Sequence, residues 1–169
     1  MSARPGWSHR ATAMLLAMFA ADAAAEFPPG LAPEAQRADA IRVHKSARKM
    51  DLLRDGRIIR SYRVHLGGAP VGPKRQQGDQ RTPEGEYAIS YRNAASRFHL
   101  SLRLSYPNAD DLRQARARGV DPGGDIMIHG GTPPGESRDW TEGCVAVSNA
   151  EIEEIWRLVP LGTPVRIDP

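Results

Sequence analysis

The sequence has a single cysteine, Cys144, among its 169 residues. That excludes an internal disulfide and any metal site built from several thiolates. Lysine is nearly as scarce: only Lys45, Lys49 and Lys74 occur, and the remaining cations are arginines without any long basic block. With a net charge of +3, nothing in this pattern prompts a nucleic-acid partner, and none is expected. No apolar run reaches the roughly 20 residues that a membrane-spanning helix needs. Internal repeats and low-complexity tracts are also missing. What remains is an ordinary globular composition, 40% hydrophobic and 25% charged with mean hydropathy −0.49, in a chain long enough for one domain with a real core.

The first residues read as an export signal. Arg4 and Arg10 precede an almost purely apolar run over 11–21, and Ala23, Ala24 and Ala25 supply the small residues of a cleavage site. Residues 1–25 are therefore expected to be a signal peptide, with an exported product and no stable membrane anchor after cleavage. No cysteine follows the run, so lipoprotein anchoring is excluded. Removing Arg4, Arg10 and Asp22 takes away a net +1 and leaves +2, too little to argue for an acidic partner. Export also leaves the Cys144 thiol without a pairing partner in an oxidising compartment, where it must be buried or used.

Residues 26–40 contain Pro28, Pro29, Gly30 and Pro33 and read as a leader segment, with the domain proper over 41–169. From Ile41 onward the pattern is β. Met50, Leu52 and Leu53, then Ile58 and Ile59, flank the hairpin signal Asp55-Gly56. Tyr62, Val64 and Leu66 continue the alternation, and residues 69–85 form a long polar loop rich in proline and glycine. Strands are expected over 86–91, over 98–104 where Phe98, Leu100, Leu102 and Leu104 alternate with polar residues, and over 165–167. Two short apolar runs, 125–128 and 143–147, are expected to come together. Helices are expected from Asn108 to Arg118 and from the capping box Ser148-x-x-Glu151 to a stop at Gly162, with Ile152, Ile155, Trp156 and Val159 on one face. The fold class is mostly β, a β-rich α+β domain with two helices.

A lone cysteine is usually a small buried hydrophobe. Gly143 changes that reading for Cys144, because a glycine there permits close backbone approach and leaves amides able to face an oxyanion, as acyl transfer to a thiolate requires. The thiol also needs a base. His129 ends an apolar run at Gly130-Gly131 and is best placed, whereas His44 and His65 occupy exposed-looking strand positions. His99 shares a polar strand face with Ser101 and Arg103 and is a candidate substrate contact. Trp140 is a candidate pocket lining. Thr141 either donates to substrate or braces the cysteine loop. Arg81 and Lys74, in the long loop, either meet substrate carboxylates or are simply solvated.

Ile126-Met127-Ile128-His129-Gly130, a spacer, and then Thr141-Glu142-Gly143-Cys144-Val145-Ala146-Val147-Ser148-Asn149 resemble the motif of the L,D-transpeptidase (YkuD) catalytic domain family. The 14 residues from 130 to 143 between His129 and Cys144 fit the pattern. The segment 78–85, with Thr82-Pro83-Glu84-Gly85, and Gly162-Thr163-Pro164-Val165 are similar to further pieces of it, so the resemblance covers about 41–169. It implies a YkuD-like β-sandwich and an exported enzyme of the periplasm or cell wall that acts on peptidoglycan stem peptides. In that reading Cys144 is the nucleophile, His129 is its general base, and the Gly130 carbonyl holds the imidazole tautomer. Carbapenem-type β-lactams are the implied inhibitors. No metal or cofactor is expected, since thiolate, imidazole and backbone amides supply the chemistry.

Glu142 stands where most members have His, and Ala146 where many have Arg. These departures resemble a branch with hydrolytic members, so water is an alternative acceptor to an amine, and a non-catalytic wall-binding module is a further alternative. Asn149 resembles the family's asparagine, but its place at a helix start is accounted for by capping.

Overall fold

The computed structural model describes residues 27–169. The expected signal peptide lies outside the described residues. Eight strands form one continuous sheet in the order β3-β2-β1-β8-β4-β5-β6-β7, where β1 is Ala40–His44, β2 Lys49–Arg54, β3 Arg57–Arg63, β4 Gly85–Ser96, β5 His99–Leu104, β6 Met127–His129, β7 Val145–Ala146 and β8 Pro164–Asp168. Two helices accompany it, α1 (Ala109–Arg118) and α2 (Asn149–Leu158). The sheet curls until its ends meet: beyond β3, His65 bridges Ala146 of β7 through N–H to carbonyl bonds of 2.9 and 2.8 Å. This curl carries the expected β-rich fold.

Local chemistry explains the turns. Asp55 and Gly56 have φ of 50° and 71°, the left-handed pair that a two-residue hairpin demands and that Asp-Gly adopts at low cost. Helix α1 starts at the cap Asn108, whose side chain accepts from the Asp110 and Asp111 amides. Ser148 caps α2 with Glu151 in a reciprocal box. Helix α2 ends at Leu158, earlier than expected, with Val159 in an extended conformation; Gly162 lies in the turn that follows. Strand β4 runs past Tyr91 to Ser96, with two register shifts, because its exposed end still has β5 to pair with.

The core lies between the sheet and α2. Ile152, Ile155 and Trp156 are buried with Leu100, Leu102 and Ile128, each aliphatic side chain contributing about 1.5–3 kcal/mol by its removal from water. Residues 27–40 lie on this body: the Ala32 and Ala38 amides donate to the Arg157 and Leu158 carbonyls at the end of α2, both at 2.8 Å. Strand β8 joins the chain's end to β1 in parallel, pairing Ile41 with Val165. Among the described residues no helix is long and apolar enough to cross a membrane.

Candidate active site

Strands β6 and β7 lie side by side in parallel, with Ile128 opposite Val145 and His129 opposite Ala146. The two apolar runs expected to meet do so. Side chains alternate along strands, so Cys144, two residues before Ala146, is directed to the same side as His129. Both line one cleft of about 510 Å³, together with Phe98, Trp140, Glu142 and Asp125.

The imidazole of His129 is held on every side. Its Nδ1 donates to the Gly130 carbonyl at 2.6 Å, which leaves Nε2 as the lone-pair nitrogen. Phe98 stacks on the ring at 4.3 Å and 22°, and Trp140 meets it edge-on at 5.7 Å. Burial pushes the imidazole below its ordinary value; the Gly130 contact opposes this and the Arg97 charge adds to it. Burial also pushes the Cys144 thiol up, opposed by the Met127 amide and reinforced by the Asp125 carboxylate. Both shifts disfavour the charged forms, the imidazolium and the thiolate.

Thr141 braces the cysteine loop. Its hydroxyl donates to the Cys144 carbonyl at 2.8 Å and accepts from the Gly143 amide at 3.1 Å. The Gly143 amide, one of those expected to face an oxyanion, is thus engaged with the Thr141 hydroxyl. The close approach is as expected. Gly143 has φ of 129°, and a Cβ there would sit 2.6 Å from the Arg81 carbonyl oxygen. Gly130 is equally tight, with the Asn149 Oδ1 and Ile152 Cγ2 each 2.8 Å from where its Cβ would be.

His99 is not brought to the cleft. It has φ of 73°, and its Nε2 lies 2.6 Å from Glu153 on α2, so the polar strand face leads to a helix contact instead of substrate. Ser101 of that face is fully buried opposite His129, with its hydroxyl unpaired among the described residues. His65 is likewise buried, its Nδ1 2.8 Å from the Arg138 carbonyl. Asn149 does not cap α2, since Ser148 does; its Oδ1 accepts from the Gly131 amide at 2.8 Å and so fastens the loop behind His129. Lys74 is buried and paired with Asp79 at 2.9 Å, so it is not a solvated contact. Glu142 is exposed.

Lys45 went unrecognised in the sequence. Its side chain is 2% exposed, and Nζ donates to Gly72 and Thr82 carbonyls at 2.6 and 2.9 Å and to Glu84 at 2.8 Å. It thereby holds the long loop whose Arg81 backbone packs against Gly143. A cation just after an alternating strand carries no sequence signal of burial.

The curled β sheet thus brings His129, at the end of β6, and Cys144, immediately before β7, to a single cleft. The family model of the L,D-transpeptidase catalytic domain (YkuD) matches residues 38–167, and the chain belongs to that family. Over 125 residues it is 31% identical to the Escherichia coli (strain K12) protein named "Putative L,D-transpeptidase YafK", a match covering 70% of this chain and 46% of that protein. The chain thus spans about half the length of this curated relative. Among solved structures it is similar to Pgp2, a helical cell shape determining protein of Campylobacter jejuni (TM-score 0.62, 22% identity, 78% of this chain and 47% of that one). Bd1075 of Bdellovibrio bacteriovorus is also similar (TM-score 0.58, 26% identity, 82% and 50%).

Proposed function

We propose that this protein is an exported cysteine acyltransferase that acts on peptidoglycan stem peptides through a Cys144 thioester. The observation that carries the reading is the orientation of His129: with Nδ1 donated to Gly130, its Nε2 lone pair is available in the cleft that Cys144 lines.

In this mechanism Sγ attacks the carbonyl carbon that follows an L-centre of the stem peptide, while the thiol proton passes to Nε2. The S–C bond forms as the proton leaves, since burial disfavours the charged form of each group. The tetrahedral adduct then collapses, the C–N bond to the terminal D-residue breaks, and His129 returns the proton to the leaving amine. An amine resolves the thioester in transpeptidation. Water does so in hydrolysis, the alternative that the exposed Glu142 in place of histidine keeps in view. Gly130 and Asn149 act on the imidazole and its loop, and Thr141 on the cysteine loop.

Incubation of the purified protein with disaccharide tetrapeptides, read by mass, tests the reading. Dimers crosslinked between third residues identify a transpeptidase, and tripeptide alone identifies a carboxypeptidase. Unchanged substrate from folded protein would favour a wall-binding module. A carbapenem, whose strained carbonyl suits a half-buried thiol, is expected to add one drug mass to the intact protein.

A further inference from the structure

Arg97 and Phe98 form the tight turn between β4 and β5, with Ser96 paired to His99 and the Phe98 amide donating to Ser96 Oγ at 3.1 Å. The Arg97 guanidinium lies over the Phe98 ring, 4.7 Å from its centroid, and that ring in turn stacks on His129. A guanidinium held over an aromatic face loses little freedom when it captures a planar anion. Arg97 is exposed and lines the cleft with Cys144.

Its charge is unusual for its surroundings. The other ionised side chains lining the cleft are the carboxylates of Asp125 and Glu142. Neighbouring Arg103 is already paired with Asp125 at 3.2 Å, whereas among the described residues Arg97 has no carboxylate partner. An anionic group entering the cleft thus meets, among the described lining residues, one guanidinium that no carboxylate already engages.

We propose that Arg97 is a substrate-binding residue that anchors a free carboxylate of the peptide and so fixes its direction across Cys144. The assignment rests on the reading of the cleft as a stem-peptide acylation site. It makes the preferred ligand a peptide with a free carboxylate near the scissile bond, and disfavours one in which those carboxyls are amidated.

Calorimetric titration of the Cys144→Ala protein tests this without turnover, using a disaccharide tetrapeptide and the same peptide with its carboxyl groups amidated. The free acid should bind on the order of tenfold more tightly, the effect of one charge-assisted, partly solvated contact. Adding Arg97→Gln should erase that difference, and Arg97→Lys should restore part of it. A preference for the acid that survives Arg97→Gln, equal binding of the two peptides, or binding of neither would overturn the proposal. If Arg97 fails while wild-type protein still forms an acyl-enzyme, only the anchor is wrong. If no acyl-enzyme forms at all, the acylation reading fails with it.

Discussion

The His129 imidazole donates from Nδ1 to the carbonyl oxygen of the next residue, Gly130, at 2.6 Å. A ring tied to its own backbone neighbour has its tautomer set by a turn of the chain, and the same turn is fastened by Asn149 at Gly131. In the proposed mechanism a base held in this way needs no carboxylate to orient it, and its replacement removes proton acceptance while leaving the thiol in place.

His129→Ala should thus lose acylation by about 10²–10⁴-fold near neutral pH. Part of the rate should return at alkaline pH, where hydroxide supplies the thiolate that the base otherwise creates. Acylation by a carbapenem, followed by intact mass from pH 6 to 10, checks this. An unchanged rate at pH 7 would remove His129 from the mechanism.

Burial of His129 also predicts a stability profile. Its folded-state value lies below the ordinary 6.5, so between the two values the unfolded chain binds more protons. Stability is then complete above about 6.5 and falls as pH drops through that region. Urea midpoints at pH 7.5 and 5.0 measure the loss, and His129→Gln should make it smaller.

Thr141→Val should destabilise the domain by about 1–3 kcal/mol, since the buried Gly143 amide loses its acceptor, while Thr141→Ser keeps the hydroxyl and should change little. Urea unfolding of both variants checks the expected difference. Acylation should fall with Thr141→Val, because the Cys144 carbonyl also loses its donor.

Much of this was written in local chemistry. Asp55-Gly56 announces its hairpin and Ser148-x-x-Glu151 its helix, since turns and caps depend on neighbours in sequence. That His129 and Cys144 line one cleft was legible from motif spacing and from two apolar runs flanked by glycine. What escaped depends on distant partners. Lys45 is buried because carbonyls 27 and 37 residues away receive it, and His99 looks like a site residue until Glu153 arrives from α2. Asn149 sits at a helix start, where capping is the obvious role, yet its acceptor faces a loop 18 residues upstream.

Glu142 is exposed, so its charge is screened from the thiol. Glu142→Gln should shift the pH profile of iodoacetamide alkylation of Cys144 by less than about half a unit. A larger shift to lower pH would show the carboxylate turned inward.

The most direct measurement is the intact mass of the protein quenched in acid shortly after mixing with a disaccharide tetrapeptide. The account predicts an added mass equal to the disaccharide tripeptide acyl group, placed on Cys144 by peptide mapping and absent from Cys144→Ala. Product release that persists in Cys144→Ala, or folded wild-type protein that neither acquires the adduct nor turns over the peptide, would contradict it.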